Sequence, residues 1–251
     1  MSEQYLGAFI MKSLLMAAGV GSRLGQSVNG PKCVLDVAGV PLIRHTVKML
    51  QANGVETAVV VGYQKEVVFQ ALEGLDVQYY VNPFYKVTNS MASLWIAQDF
   101  MDGKDDIILG NADVFLEEEI LELLCSDQRD AVMLADASRV DKGDYFFQTE
   151  AEQIVAYGKE LVREDRDCEY VGLAKLKTGF LPGFRERVNQ CVEDGIYDLW
   201  WENVLYRYTE EFPVYALDVG GRFWGEIDYI EDYARILGYV YERKMKGRWM
   251  Q

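Results

Sequence analysis

The chain has 251 residues, of which half are apolar and 26% are charged, and 25 Lys and Arg against 40 Asp and Glu give a formal net charge of −15. This composition is that of a globular protein with a sizeable core, and it excludes a chain that is mainly disordered. The acidity argues against a nucleic acid polymer as partner, because such binding depends on Lys and Arg neutralising phosphates.

The N-terminal apolar stretch gives no sign of export or membrane insertion. Residues 5–11 are too few for a membrane span and lack the basic start of a signal peptide. We therefore expect a cytoplasmic protein that does not bind a membrane. A single His and four widely spaced cysteines argue against a zinc site or a disulfide framework. The thiols expected to be reduced are Cys33, Cys125, Cys168 and Cys191.

The first half of the chain alternates strand-like and helix-like segments, as βαβ units do. Strand patterns occupy residues 12–19, 57–61, 77–81 and 106–109. Helical spacing occupies residues 40–53, 65–73, a segment beginning at Asn89 or Ser90, and 117–125. The pattern predicts an α/β fold with a Rossmann-like, open, mostly parallel mixed sheet and helices on both faces.

In the second half the predicted strands become shorter. They occupy residues 131–135, 145–149, 153–157, 170–176 and 214–219, and helices are predicted at 181–191, 198–208 and from about 228. Because there is no linker-like segment and no internal repeat, we expect one domain over residues 11–251 after an extension at 1–10. Its nucleotide-binding half would end near residue 130, and a small β-rich acceptor half would follow.

A glycine-rich loop follows the first predicted strand. Its small residues let backbone N–H groups approach an anion closely. Arg23 adds a planar donor fork, and Lys32 adds a point charge. The loop is not a Walker A motif, because no GK[ST] follows, and the third glycine of the dinucleotide fingerprint is out of place. On its own, the GxG at Gly19 and Gly21 is also compatible with a simple tight turn.

In combination, these residues resemble those of nucleotidyltransferases that join a nucleoside triphosphate to a phosphorylated sugar or alcohol and release pyrophosphate. That family's signature, LxAGxGxRL…PKxL, is matched by MAAGVGSRL at 16–24 and PKCV at 31–34, with Val34 where the family often has Leu. The resemblance covers residues 12 to about 240. It implies that Arg23 and Lys32 hold the triphosphate. The implied backbone contacts to the nucleotide are Ala17, Ala18, Gly19, Gly21 and Ser22.

Two carboxylates extend the resemblance. Asp113 follows the predicted strand at 106–109, and Asp228 ends the sequence WGEID at 224–228. In the family, Asp residues at these places bind Mg²⁺, a hard cation that prefers carboxylate and phosphate oxygens. The alternative role of each Asp is to cap a turn or helix. The resemblance thus implies a catalytic set of Arg23, Lys32, Asp113 and Asp228.

The implied reaction needs no general base. A phosphate monoester has a second pKa of about 6, so its oxygen is already ionised at neutral pH and attacks the α-phosphorus directly. Alignment and charge neutralisation then carry catalysis. This agrees with a chain whose only histidine, His45, is expected to be an ordinary helix residue.

Residues 82–94 resemble the branch of the family that contains bacterial phosphocholine cytidylyltransferases. There, an Asn-rich helix start lies near the cytosine, which would make Asn89 and Ser90 contacts to the base. The alternative is that they simply cap the helix, since Asn and Ser are preferred caps.

We expect residues of the second half of the chain to form the acceptor pocket. A quaternary ammonium is recognised by aromatic faces with a nearby carboxylate, and the chain has 16 Tyr, 11 Phe and 5 Trp. This favours phosphocholine or a similar cationic acceptor, such as phosphoethanolamine or 2-aminoethylphosphonate. The alternative for the aromatic residues is that they pack in the core. By resemblance, Lys159 reaches the active site, and the alternative is that it is a solvated lysine of a hairpin. The candidates are Tyr145, Lys159, Glu169, Trp200, Trp201 and Glu202.

Other function classes remain as alternatives. A sugar-1-phosphate acceptor would keep the same chemistry, and a metal-dependent glycosyltransferase or a silent nucleotide-binding relative would share the fold. The AGxGxR…PK combination suits an uncleaved triphosphate, and none of the four implied catalytic residues is missing. The expected partners are small molecules, and the sequence leaves a homo-oligomer open.

Overall fold

The computed structural model describes residues 11–21, 30–206 and 211–247. The predicted extension at 1–10 lies outside the described residues, as do Ser22 and Arg23. None of the helices in the described part of the chain is long and apolar enough to cross a membrane. All four cysteines are free thiols, as expected, and three of them are buried.

In the described part of the chain, nine strands form a mixed sheet at the centre of the molecule. The described strands are β1 (Met11–Ala17), β2 (Asp36–Val37), β3 (Val40–Pro41), β4 (Val55–Val61), β5 (Gln78–Val81), β6 (Asp106–Asn111), β7 (Val114–Leu116), β8 (Ala131–Asp136), β9 (Phe146–Glu150), β10 (Gln153–Gly158), β11 (Cys168–Leu176), β12 (Tyr215–Asp218) and β13 (Trp224–Glu226). In the sheet their order is β5-β4-β1-β6-β11-β8-β12-β10-β9. The first four strands are parallel, whereas β11 runs antiparallel to both β6 and β8.

Helices cover both faces of this sheet. They are α1 (Leu42–Ala52), α2 (Lys65–Ala71), α3 (Ser90–Ile96), α4 (Glu118–Ser126), α5 (Leu181–Glu193), α6 (Glu202–Tyr206) and α7 (Ile230–Met245). Side chains of β1 alternate between the faces: Leu14 and Met16 pack with α3 and α5, while Leu15 and Ala17 pack with α1, α2 and α4. A strand buried on both faces reads as a continuous apolar run. The predicted α/β class and mixed sheet are confirmed.

Two predicted helices begin later than expected. The segment predicted as a helix from residue 40 starts at Leu42, because Val40–Pro41 pairs with Asp36–Val37 in a short hairpin. The helix predicted over 198–208 starts only at Glu202, after a loop in which Asn203 accepts a hydrogen bond from the Trp200 backbone. By contrast, α3 begins at Ser90, one of the two predicted starts.

A two-stranded ladder between β7 and β13 was not predicted. It joins segments that are more than a hundred positions apart, and it pairs Glu226 with Val114. Directly beyond the ladder, the backbone N–H of Ile227 donates to the carbonyl of Asp113 at 3.0 Å. The ladder thereby brings Asp113 and Asp228 to the same place, at the end of β6 and before α7.

Candidate active site

A cavity of about 390 Å³ opens where β1 and β6 end. In α/β sheets the carboxyl ends of parallel strands are the usual place for ligands. This one cavity is lined by loop residues after β1, by carboxylates after β6 and β13, and by aromatic residues from the second half of the chain. Its lining includes Gly19, Gly21, Lys32, Asn89, Ser90, Asn111, Asp113, Tyr145, Lys159, Tyr170, Trp200, Glu202, Tyr206, Glu226 and Asp228.

The described part of the glycine loop is shaped by close contacts. Gly21 has a φ of +65°, and a Cβ built there would lie 2.6 Å from Cγ of Lys32. Glycine is therefore needed both for the backbone conformation and for room beside the lysine stem. A Cβ on Gly19 would meet nothing within 4 Å, so the backbone there is open to the cavity.

Lys32 lies between the two aspartates. Its Nζ is 2.5 Å from Oδ1 of Asp228 and 3.5 Å from Oδ2 of Asp113. Burial disfavours the ammonium, but the adjacent carboxylates outweigh it and raise the pKa of Lys32. The lysine predicted on the triphosphate therefore stays charged and stands beside the implied metal ligands.

The carboxylates in this region exceed the positive charge that Lys32 supplies. Burial and the charge of Asp228 raise the pKa of Asp113 against the opposing effect of Lys32. Burial, then the charges of Asp113 and Asp228, raise the pKa of Glu226 well above its ordinary range. A further cation would relieve this repulsion.

This donor set fits a hard divalent cation. Mg²⁺ is commonly bound through one or two carboxylates together with substrate phosphates and water, and Asp113 and Asp228 offer two carboxylates beside a cavity. Within the described ranges, no group of three or more His, Cys, Asp or Glu has the arrangement of a complete metal site. A cation here would thus need oxygens from a substrate.

Sequence reasoning missed Glu226. It stands two positions before Asp228, and residues two apart in an extended segment share a face. That spacing in WGEID is the signal that could have identified it. Further cavity residues that were not predicted are Met16, Asn82, Tyr85, Thr88, Ser93, Asn111, Asp144, Tyr170, Asn203 and Tyr206.

Asn89 and Ser90 line the cavity and also support its wall. The Asn89 side chain accepts a hydrogen bond from the Ser90 N–H at 2.8 Å, which makes it the cap of α3. Its Nδ2 donates to the carbonyl of Asp198 at 3.3 Å, and Oγ of Ser90 accepts from the backbone of Trp201 at 2.9 Å. The capping role weighed for Asn89 is therefore present, and contact with a base remains a prediction.

Glu202 places a buried carboxyl group in the wall of the cavity. It is only 6% exposed, and Nδ2 of Asn111 donates to its Oε1 at 3.0 Å. Burial raises the pKa of Glu202 to about 7, although the hydrogen bond from Asn111 opposes the increase. Tyr145 and Tyr206, which also line the cavity, stack on each other at 5.3 Å between ring centroids.

Trp200 and Lys159 occupy the outer part of the cavity. Trp200 is 43% exposed, and the ammonium of Lys159 lies 5.6 Å from its ring centroid. The same ammonium is 2.9 Å from Oδ2 of Asp144. The structure thus brings four of the six acceptor candidates, namely Tyr145, Lys159, Trp200 and Glu202, to one cavity.

The other two acceptor candidates do not line it. Trp201 is fully buried, and its Nε1 donates to Oδ1 of Asn111 at 2.9 Å, so it packs in the core and orients a cavity residue. Glu169 is held by Arg139 at 2.6 Å and accepts from the Asp144 N–H at 3.1 Å. It therefore fastens the neighbouring loop instead of facing a ligand.

His45 takes no part in the cavity lining. It lies in α1, as predicted, and its ring stacks on Phe115 at 5.2 Å between centroids. Burial lowers the pKa of His45 to about 4, so the ring is neutral at pH 7.

Comparison with known proteins gives a consistent result. Residues 13–196 match the family described as MobA-like NTP transferase domain. The chain is 27% identical to CMP-5'-(3-aminopropyl)phosphonate synthase of Streptomyces rubellomurinus over 235 residues, which are 87% of this chain but 37% of that protein. It is 24% identical to choline-phosphate cytidylyltransferase of Streptococcus pneumoniae, with 90% of this chain and 96% of that protein covered.

The solved structure of CTP:phosphocholine cytidylyltransferase from Streptococcus pneumoniae has the same fold. It superposes with a TM-score of 0.74 at 20% identity, covering 92% of this chain and 99% of the other.

Proposed function

Because the chain belongs to the MobA-like NTP transferase domain family and is a nucleotidyltransferase, we propose that it transfers CMP from CTP to a small phosphorylated or phosphonylated acceptor with a cationic group. Pyrophosphate would leave, and Mg²⁺ would be required. One observation carries the proposal: a single cavity joins the glycine loop and the Asp113, Asp228 and Lys32 cluster to the buried carboxylate of Glu202.

The nucleotide end of the cavity suits a triphosphate. The backbone at Gly19 is open to it, and Gly21 leaves room for the stem of Lys32. Arg23, which lies outside the described residues, would add a second cation by resemblance. Asn89 and Ser90 line the cavity at the start of α3, and the Ser90 hydroxyl, which accepts from the Trp201 backbone, keeps its O–H to donate to a pyrimidine edge.

The charge distribution supports a bound metal. Asp113 and Asp228 would hold Mg²⁺, which when bound neutralises phosphate charge and stabilises the developing negative charge at the α-phosphorus. Lys32 would orient both carboxylates and share in neutralising the phosphates. Asp113 and Asp228 are fixed relative to each other by the backbone contact beyond the β7–β13 ladder.

The reaction then depends on positioning. An ionised oxygen of the acceptor forms a bond to the α-phosphorus of CTP, and the bond to the bridging oxygen breaks, so that pyrophosphate leaves with the electron pair. The acceptor oxygen is already deprotonated at neutral pH, and no residue has to remove a proton. The work of the protein is to hold both substrates in line and to balance their charge.

The acceptor end favours a cation over a sugar. Glu202 places a buried carboxylate there, and a positively charged group would favour its ionised form. The asparagines that line the cavity are already engaged within the protein, which leaves them poorly placed to meet sugar hydroxyls. Their partners include Thr88 and Ser93 for Asn82, Ser90 and Asp198 for Asn89, Trp201 and Glu202 for Asn111, and Trp200 for Asn203.

Pyrophosphate release tests the proposal. The purified protein with Mg²⁺ is offered CTP, UTP, ATP or GTP, each with phosphocholine, phosphoethanolamine, 2-aminoethylphosphonate, 3-aminopropylphosphonate or glucose-1-phosphate. We expect release with CTP and the cationic acceptors, and none when the metal is chelated. Release only with glucose-1-phosphate would refute the acceptor class, and release that is unchanged by chelation would refute the metal requirement.

A further inference from the structure

We propose that Asn111, Glu202 and Glu226 select an acceptor ammonium group that carries N–H bonds, so that a primary ammonium is used in preference to a trimethylammonium. The inference rests on the proposed function and names the acceptor more closely. It assigns Asn111 as a residue that determines specificity by presenting two carboxylates to the cavity.

The amide of Asn111 has a defined orientation. Its Oδ1 accepts from Nε1 of Trp201 at 2.9 Å, and an indole nitrogen is only ever a donor. The amide NH₂ must therefore point the other way. It donates to Oε1 of Glu202 at 3.0 Å and to Oε1 of Glu226 at 3.4 Å. A fully buried tryptophan thus fixes an asparagine that bridges two acidic side chains lining the cavity.

Glu202 and Glu226 can accept more hydrogen bonds than Asn111 donates to them. Each carboxylate has about four lone-pair sites, whereas the Asn111 amide has two N–H bonds to divide between them and the Tyr170 hydroxyl adds at most one more, to Glu202. Asn111 is neutral, so the positive charge that would favour the ionised form of both acids has to come from elsewhere. Lys32 is engaged by Asp113 and Asp228. A ligand that brought both a positive charge and N–H donors would meet both needs.

A primary ammonium brings both, and a trimethylammonium brings only the charge. Three N–H groups can donate charge-assisted hydrogen bonds to Glu202 and Glu226, and such bonds are about twice as strong as neutral ones. Three methyl groups would instead cover the carboxylate oxygens and leave the lone pairs that Asn111 does not reach without donors in a buried place. The cost of such unpaired groups is what makes hydrogen-bonding sites discriminate strongly.

Among the residues that the structure describes, Tyr145, Tyr206 and Trp200 line the cavity without forming an open aromatic cage. Recognition of a trimethylammonium relies on free aromatic faces. Tyr206 stacks on Tyr145 at 5.3 Å and on Tyr157 at 4.6 Å, so these rings cover one another. The ring of Trp200 already has the ammonium of Lys159 at 5.6 Å from its centroid. The aromatic groups thus form walls around the acidic pair.

A methylation series on one acceptor tests the inference directly. Phosphoethanolamine and its N-methyl, N,N-dimethyl and N,N,N-trimethyl forms have the same phosphate and the same chain, but three, two, one and no N–H bonds. With CTP and Mg²⁺ we expect kcat/KM to fall along the series, with the largest step at the loss of the last N–H bond. The overall decrease should be at least about 100-fold, as for sites built around hydrogen bonds.

Two variants assign the selectivity to Asn111. Asn111→Leu keeps the size of the side chain but removes the bridge, and it should reduce the ratio of the kcat/KM values for the first and last members by at least about 10-fold. Asn189→Leu is the matched control, because Oδ1 of Asn189 also accepts from an indole, Nε1 of Trp95 at 3.1 Å, but Asn189 does not line the cavity. It should leave the ratio unchanged.

The outcomes separate the two proposals. Equal or better use of phosphocholine by the unmodified protein would overturn the inference and leave the proposed function standing. Turnover with glucose-1-phosphate alone, or with no acceptor at all, would instead overturn the proposed function and the inference with it. The series on the unmodified protein decides the question even if Asn111→Leu does not fold.

Discussion

Replacement of Glu202 by glutamine should make the protein more stable at high pH. Glu202 is buried, and burial raises its pKa from 4.5 to about 7. A carboxyl whose pKa is raised on folding stabilises the fold fully below pH 4.5, where it is protonated in both states. This contribution is lost as the pH rises to about 7, because over that range the carboxyl ionises in the unfolded chain but stays protonated in the folded one. Glutamine mimics the protonated form at every pH.

The magnitude follows from the two pKa values. An increase of about 2.5 pH units, at about 1.36 kcal/mol per unit, corresponds to about 3 kcal/mol above pH 7. Glu202→Gln should therefore raise the free energy of unfolding by about 3 kcal/mol at pH 8 and by less than about 1 kcal/mol at pH 5. The amide oxygen of the glutamine can still accept the hydrogen bond from Asn111.

Urea denaturation at the two pH values, without substrates, measures this difference. Glu73→Gln is the control, because the side chain of Glu73 is exposed. It should change the free energy of unfolding equally at pH 5 and pH 8. A Glu202→Gln variant that is no more stable than the unmodified protein at pH 8, or that differs from it equally at both pH values, would refute the reasoning.

Three further predictions concern the other parts of the site. Asp113→Asn and Asp228→Asn should each lower Mg²⁺-dependent kcat by at least about 100-fold in the pyrophosphate assay, and retention within a few-fold would refute the metal assignment. Gly21→Ala should lower the free energy of unfolding by about 1–2 kcal/mol and raise KM for CTP, because φ is +65° and Cγ of Lys32 is 2.6 Å away. Its control, Gly19→Ala, meets nothing within 4 Å and should be nearly neutral for stability. Trp201→Phe should cost about 1–3 kcal/mol and weaken selectivity along the methylation series, because Asn111 loses the donor that orients it; unchanged selectivity would contradict that role.

The sequence predicted those strands and helices whose formation depends on residues close to one another in the chain. The strand β1 is a continuous apolar run because both of its faces are buried, and α3 starts where Asn89 provides a cap. The strands β7 and β13 could not be found in this way. Each has three residues, and they form because distant segments pair with each other. No property of either segment alone indicates that pairing.

The same limit applies to the site. Asp113 and Asp228 were identified through their resemblance to a family motif, and the structure then brought them beside Lys32. Glu169 and Trp201 were expected at the acceptor because of their residue type. The sequence does not reveal that Arg139 holds Glu169, or that Trp201 turns into the core. Residue type indicates what a side chain can do, whereas the direction it faces depends on contacts distant in sequence.

Trp201 connects the two ends of the cavity. Its backbone N–H donates to Ser90, at the end of the cavity proposed for the nucleotide, and its indole N–H donates to Asn111, beside the carboxylates proposed for the acceptor. A displacement of Trp201 would therefore disturb the start of α3 and the bridge between Glu202 and Glu226 together. Among the hydrogen bonds of the described residues, the Glu202 side chain takes part in the bridge with Asn111 but not in the bonds at the start of α3. Changes at Trp201 should consequently alter both CTP binding and acceptor selectivity, whereas changes at Glu202 should act on the acceptor alone.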